Sequence, residues 1–417
     1  MNSSQMPNLY RRCICFASLM LCVTAYAQNT IEYRTWTDTG NREVEATLIR
    51  VSAEGATLRL RNGSTITVPL ANLSTPDRAW LSAHAASPIA SPTAAPSLLA
   101  NGAAAGDAGS QRDWPRMVAL EAAPDIKVVT EDSAKGEYVY SSDHFEFHCD
   151  SSLSPNVVRE FSKVFEATRL LNSKLPLGLD PQPEDGRSKF QAHIFTNRND
   201  YLKSGGMKRS GGIYSPADRA IMVPMDSLGV RRVGTRIYVD STQDYSTLVH
   251  ETTHQMMNHW LPVLPVWYIE GSAEYVEIAK YTNGRFSLVQ QDSRLRDRLY
   301  TWGGYRTFQM VPIQELMTMN NNTWSAAFAT PSGSWRNYAS ALALTYYFYH
   351  LDGRGDGSEF KSYLAAIKDS HSPAERDAIA QKYLLRGRSY AILQSDVQKA
   401  LRRIGITVTF APGEKAR

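Results

Sequence analysis

One short segment of this 417-residue chain combines residue types that together can bind a metal ion and activate water. His250, Glu251 and His254 form the pattern HExxH, with the two histidines four residues apart. Residues at this spacing share one face of an α-helix, so both imidazoles can bind one ion while Glu251 reaches a water molecule on it. Zinc lowers the pKa of such a water to about 7, and a carboxylate can then take its proton. The pattern predicts a site for one zinc ion with Glu251 as general base.

A third metal ligand is expected on the next helix. Pro265, a favoured first-turn residue, opens a segment in which Glu270 lies 16 residues after His254. Glu274 follows one turn later. Two His and one Glu leave one coordination position open for water, which catalysis requires. Glu270 and Glu274 share a helix face, so one could bind the metal while the other hydrogen-bonds a ligand imidazole.

This segment resembles a family of enzymes. HExxH followed by W-Y-I-E-G-S-A-E-Y is similar to the gluzincin metallopeptidases, and most similar to bacterial peptidase-MA-like proteins of the DUF1570 type, which show P-x-W-x-x-E-G-x-A-E-Y. The resemblance implies a zincin-like domain, a peptide or protein substrate, and Glu270 as the third ligand. The interval from His254 to Glu270 is a few residues shorter than in the best-known gluzincins, and counting from those enzymes alone would favour Glu274. The E-G-S-A context favours Glu270.

Two further features are candidates for substrate handling. Tyr338 opens an apolar helix, and the resemblance implies a Tyr there that donates to the developing oxyanion; a packing role is the alternative. One such donor can contribute about 3 kcal/mol. A hairpin is predicted over residues 211–225. By resemblance an edge strand holds an extended peptide by backbone pairing, so Gly212 and Tyr214 would line the substrate path; a purely structural hairpin is the alternative.

The strands and helices that must position these residues are predicted to form an α+β domain over residues 113–412. Strand-like runs occur at 138–150 and 190–197, and the apolar spacing over 155–174 predicts a helix. Several apolar helices follow Tyr338. Mixed strands followed by helices are typical of an α+β fold with a helical C-terminal part.

Residues 28–84 predict a small all-β barrel. Short alternating runs at 44–51, 56–61 and 65–69 are separated by turn signals, including Asn-Gly. The RTW…G opening, the two central strands and the ending VPLANLSTPDRAWL resemble the Sla1 homology domain (SHD1), an SH3-like module. The resemblance implies a peptide-motif partner; a role as a spacer is the alternative.

The remaining segments predict export. Residues 1–27 contain Arg11 and Arg12, a short apolar run and an A-x-A-like site, which are typical of a secretory signal peptide. The run is too short to span a bilayer comfortably, so we expect no stable membrane span after cleavage and a periplasmic or extracellular location. Residues 85–112, rich in Ala, Pro, Ser and Gly, predict a disordered, flexible linker.

Composition excludes several classes of protein. The chain is 43% hydrophobic and 21% charged, which excludes a collagen-like or fully disordered protein. Its formal net charge of +4 is too small for this length to indicate a nucleic-acid partner. Cys149 alone would remain after signal cleavage, so no intrachain disulfide is expected, and its alternating neighbours predict a buried structural residue.

The sequence thus predicts a multidomain exported protein: an SH3-like barrel, a linker and a zincin-like metallopeptidase domain that hydrolyses peptide bonds. The alternative is a zinc-binding but non-proteolytic envelope protein that acts as an adaptor through its SH3-like domain. A chance HExxH without metal is a third interpretation.

Overall fold

The computed structural model describes residues 34–40, 42–52, 55–60, 65–84, 114–208, 210–233, 236–240, 243–303, 306–329 and 333–410. They belong to two compact units, residues 34–84 in one and residues 114–410 in the other. The predicted signal peptide at 1–27 and the predicted linker at 85–112 lie outside the described residues. Within the described ranges, no helix is long and apolar enough to cross a membrane.

The smaller unit is an antiparallel sheet closed by one helix. Its elements are β1 (Arg34–Thr37), β2 (Glu43–Ser52), β3 (Gly55–Leu60), β4 (Thr65–Val68) and α1 (Thr75–His84). The four strands pair in chain order. Alternation along the strands turns one set of side chains inward, and Trp36, Leu58 and Leu73 are fully buried with Leu81 of α1. This sheet lies where the sequence predicts alternating strands.

Arg34 joins the two ends of this unit. Its guanidinium lies over the rings of Trp36 and Trp80, at 4.5 Å and 4.2 Å from their centroids, and forms an ion pair with Asp77. Asp77 is buried and also accepts from the backbone N–H of Thr37 at 2.7 Å. A buried carboxylate needs such partners, so this cluster fixes α1 against β1.

The larger unit contains the remaining elements of the described chain. Its strands are β5 (Met117–Ala119), β6 (Lys127–Asp132), β7 (Glu137–Ser141), β8 (Phe145–Cys149), β9 (Phe190–Phe195), β10 (Ile213–Ser215), β11 (Ala220–Pro224), β12 (Val230–Val233), β13 (Arg236–Val239), β14 (Lys280–Thr282), β15 (Arg285–Ser287), β16 (Phe308–Met310) and β17 (Val408–Phe410). Its helices are α2 (Pro155–Lys174), α3 (Arg198–Lys203), α4 (Ser246–Met256), α5 (Val266–Glu277), α6 (Gln291–Gly303), α7 (Ile313–Thr318), α8 (Asn321–Ala326), α9 (Gly333–His350), α10 (Ser358–Ile367), α11 (Pro373–Ala380) and α12 (Tyr390–Arg403).

A mixed six-stranded sheet organises this unit. The strand order is β10-β11-β9-β8-β7-β6, with β11, β9 and β8 parallel and the outer pairs antiparallel. Phe145 and Phe147 of β8 pack against Phe161 and Phe165 of α2. Cys149 is buried as predicted, and burial raises the pKa of its thiol. Strands and helices alternate through much of this unit, and β17 follows its last helix, so the predicted order of strands first and helices after holds only for the helix-rich region from α9 to α12.

The prediction of a single strand over residues 138–150 is wrong. The structure has two antiparallel strands, β7 and β8, separated by a tight turn. Ser142 N–H donates to the Phe145 carbonyl at 2.9 Å, and Glu166 of α2 accepts from the Ser142 hydroxyl and the His144 N–H. The polar run Ser-Ser-Asp-His is therefore a turn whose polar groups a buried carboxylate satisfies.

Candidate metal centre

Helix α4 carries the HExxH pattern at the centre of the larger unit. The Asp244 carboxylate accepts from the N–H of Ser246, the first residue of the helix, at 2.9 Å. Leu248, Val249 and Met256 are buried in the main core. Because these apolar residues fix one face of the helix, its other face presents His250, Glu251 and His254 to α5 and β10.

Three side-chain atoms that could bind a metal ion converge between α4 and α5. Glu270 Oε2 lies 3.3 Å from His250 Nε2 and 3.5 Å from His254 Nε2. A ligand atom from each of these residues lies within 4.8 Å of the others. The structure thus brings together the two histidines and the glutamate that sequence analysis favours as ligands.

Glu274 and Glu277 both face the second ring nitrogen of His250. The Oε1 of Glu274 lies 3.8 Å from His250 Nδ1, beyond hydrogen-bond distance. Glu277, one turn further along α5, lies 3.0 Å from the same nitrogen and also pairs with Arg298 at 2.5 Å. The role of Glu274 as an alternative ligand or as a partner of the His250 imidazole stays a prediction, since His250, Glu274 and Glu277 form a second group whose possible ligand atoms lie within 4.8 Å of one another.

Sequence analysis missed Glu277 and Arg298, although a signal for Glu277 was present. At about 100° per residue, seven residues fall about 20° short of two helical turns, whereas four overshoot one turn by about 40°. Glu277 therefore lies closer to the face of Glu270 than Glu274 does. Arg298 comes from α6, and no short-range pattern connects it to α5.

The charges around His250 fit a bound divalent cation. Burial opposes protonation of His250, but Glu270 and Glu277 raise its pKa well above the usual range. Burial likewise opposes ionisation of Glu270, yet His254 and His250 lower its pKa to about 2. Without a metal, Arg298 and a proton on His250 balance the ionised carboxylates of the centre. Its donors include two imidazoles and a carboxylate, which zinc prefers, and a bound cation would take the place of the proton on His250.

Glu251 points to the edge strand β10. Its Oε2 accepts from the Tyr214 backbone N–H at 2.8 Å. Burial raises the pKa of Glu251, and the nearby His254 and His250 partly offset this shift. The N–H of Gly212 donates to the Ser210 hydroxyl at 3.1 Å. Of the two predicted substrate-strand residues, Tyr214 therefore contacts Glu251, and the N–H groups of both already have partners within the chain.

Tyr338 lies beside the metal centre within an aromatic group. Its ring centroid is 6.2 Å from that of His250, and it contacts Trp324 and Phe328. Burial and the charges of Glu270 and Glu251 raise its pKa well above the usual range, so the phenol keeps its proton. The sequence suggested that Tyr338 opens the helix, but α9 already begins at Gly333. The residues between Gly333 and Tyr338 are mostly small or polar, so the apolar run does not mark the start of the helix.

The packing around Gly271 explains why the E-G-S-A segment contains a glycine. A Cβ at this position would lie 2.5 Å from the Ala341 carbonyl oxygen of α9, closer than real atoms approach. The missing side chain lets α5 and α9 pack closely. Glu270 and Tyr338 are thereby held on two helices whose separation a glycine sets.

Comparison with known proteins bears on the smaller unit. Residues 27–87 match the family model for SLA1 homology domain 1, SHD1. The match confirms the SHD1 resemblance. No curated protein matches the chain.

Proposed function

We propose that the chain is an exported zinc-dependent metallopeptidase of the gluzincin type. The observation that carries the proposal is the convergence of His250 Nε2, His254 Nε2 and Glu270 Oε2, with Glu251 beside them. The zincin-like fold is supported by a mixed sheet whose antiparallel edge strand, β10, runs against the HExxH helix. The E-G-S-A segment on α5 supports the gluzincin type.

His250, His254 and Glu270 would hold the metal. Zinc bound there supplies a Lewis acid that polarises the scissile carbonyl and acidifies water. Glu251 takes the proton of the attacking water and passes it to the leaving nitrogen, and its burial favours this by raising its pKa. The Tyr214 N–H orients the Glu251 carboxylate for that transfer. Tyr338 keeps its phenolic proton and donates to the oxyanion.

The SHD1 match gives this proposal a second part. We propose that the smaller unit is an SH3-like barrel that binds a peptide motif and brings a partner to the enzyme. The predicted signal peptide at 1–27 places both parts in the periplasm or outside the cell. The same match favours the second candidate function, a zinc-binding adaptor without hydrolysis.

Replacing Glu251 separates the two functions. Glu251→Gln removes the proton acceptor but none of the three ligands, so the variant should bind as much zinc as wild type. Wild type should cleave a library of quenched peptides, and the variant should lose this activity by about 100-fold or more. Cleavage by wild type and variant at equal rates would contradict the mechanism. Zinc binding without any cleavage by wild type would favour the adaptor.

A further inference from the structure

Glu184 is a buried carboxylate outside the metal centre. It is 5% exposed, and its Oε1 accepts from the Tyr214 phenol at 3.1 Å and from the Gln255 side-chain amide at 3.4 Å. Its Oε2 is buried and has no hydrogen-bond partner among the described residues. Leaving a buried oxygen unsatisfied costs stability. Glu184 therefore does not occupy this position for stability alone.

The two partners of Glu184 belong to the two elements that enclose Glu251. Tyr214 lies on β10 and donates its backbone N–H to Glu251. Gln255 lies on α4, directly after His254, and also donates to the Gln191 carbonyl of β9 at 3.0 Å. A single carboxylate thus links the edge strand to the HExxH helix.

The segment before Glu184 is itself fixed to the end of α4. Three side chains that follow the helix bond its backbone. The Asn258 amide donates to the Gln182 carbonyl at 2.9 Å, and the Trp260 indole donates to the Leu179 carbonyl at 2.9 Å. His259 Nε2 lies 3.0 Å from the Pro183 carbonyl oxygen, and this exposed histidine is not near the metal ligands. Glu184 is thus presented to Tyr214 from a segment that hydrogen bonds tie to the residues directly after α4.

We propose that Glu184 is a positioning residue for Glu251 and acts through the Tyr214 phenol. The Glu184–Tyr214 bond holds β10 at the distance from α4 at which the Tyr214 N–H reaches the Glu251 carboxylate. The catalytic meaning of this link rests on the proposed peptidase function, but the link itself does not.

Amide hydrogen exchange at Tyr214 measures the link without any substrate. The full chain is compared as wild type, Tyr214→Phe and Glu184→Met, which remove the donor and the acceptor with little change in shape. Each variant should exchange the residue-214 amide about fivefold faster than wild type, because one net hydrogen bond is lost. The double variant should exchange no faster than either single variant. Zinc content should equal that of wild type in all of them.

Two controls separate positioning from general loosening. Glu184→Gln keeps an acceptor oxygen and should retain the protection of wild type. Tyr281→Phe removes another part-buried phenol, which accepts from the Gly284 N–H at 2.9 Å, and should leave exchange at residue 214 unchanged. Unchanged protection in both Tyr214→Phe and Glu184→Met would overturn the proposal. If Glu184→Met fails to fold, Tyr214→Phe, which lacks one oxygen atom, decides alone.

Kinetics then relate the link to catalysis. With quenched peptides as substrate, Tyr214→Phe should lower kcat about tenfold and leave KM within about twofold, since a displaced base slows the chemical step. A raised KM with wild-type exchange would mean that the phenol contacts substrate, and would also overturn the proposal. If wild type cleaves no peptide, the proposed function fails, while the exchange experiment still decides whether Glu184 positions Glu251.

Discussion

At the scale of single residues, His250 is held on both of its ring nitrogens. Its Nε2 faces Glu270 and His254, and its Nδ1 faces Glu277, which Arg298 in turn holds. An acceptor at Nδ1 fixes the tautomer that leaves Nε2 free for a metal and makes that nitrogen more basic. The orientation of the ring is therefore set by Glu277, two turns along α5 from the proposed ligand Glu270.

Glu277→Gln should weaken zinc binding by about 10- to 100-fold, because the amide is a poorer acceptor for the His250 Nδ1–H. The measurement is the zinc dissociation constant from competition with a chelator. Glu274→Gln is the matched control, the same change one turn earlier on α5, and should alter the constant by less than about threefold, since Glu274 makes no hydrogen bond to His250. Equal losses in both variants would contradict the assignment.

The sequence predicted the residues of this centre only in part. HExxH and E-G-S-A led to the prediction that His250, His254 and Glu270 lie together, as they do in the structure, since helical spacing is local. Glu184 and Arg298 approach the centre from segments distant along the chain, and their contacts depend on tertiary packing. Helical spacing puts Glu277 nearer than Glu274 to the face of Glu270, but only the structure shows that Glu277 reaches within hydrogen-bond distance of His250.

At the scale of elements, the close packing of α5 and α9 sets the distance between Glu270 and Tyr338. Gly271→Ala should destabilise the larger unit by about 1–3 kcal/mol, because the added methyl meets the backbone of Ala341, which cannot yield as a side chain could. The loss is measured as a lower midpoint of urea unfolding. Ser272→Ala, the next residue of α5, adds no volume and should cost less than about 1 kcal/mol. A Gly271→Ala variant as stable as wild type would contradict the close approach.

His350, the last residue of α9, predicts a pH dependence of stability. Its Nε2 lies 2.9 Å from the Tyr275 hydroxyl, and burial lowers its pKa from 6.5 to about 4. Between these values the unfolded chain binds a proton that the folded chain does not. Stability is therefore full above about pH 6.5 and declines as the pH falls towards 4, by up to about 3 kcal/mol.

Replacing His350 should remove this part of the pH dependence. His350→Gln keeps a side chain that can bond Tyr275 but does not titrate. The free energies of unfolding of wild type and variant are measured by urea at pH 7 and at pH 4.5. Between these two pH values the free energy of unfolding should fall less in the variant than in wild type. Identical declines would show that the His350 pKa is not lowered by folding.

Elements with a long run of periodic apolar residues could be predicted from the local sequence. The helix predicted over 155–174 is α2, bounded by Ser154 as N-cap and by Pro155 at the first position. Short elements were less predictable. The polar turn inside 138–150 is satisfied by Glu166 of another element, and the start of α9 precedes the apolar run from which the helix was predicted.

At the scale of the whole molecule, two units with separate cores follow each other along the chain. Turn signals and alternation predicted the smaller unit, and the SHD1 match agrees with that prediction. The larger unit contains both strands and helices, as predicted, but they alternate along the chain more than the sequence indicated. The order of its strands could not be predicted from the sequence, because β9 and β11 are parallel neighbours joined by a crossover of many residues.

The most direct test of the account is the zinc content of the purified protein, measured beside that of His254→Ala. The account predicts about one zinc per chain in wild type and almost none in the variant, because removing one of three ligands leaves an incomplete site. A folded wild-type protein that takes up no zinc, even when zinc is supplied, would contradict the metal centre and the hydrolysis proposed from it.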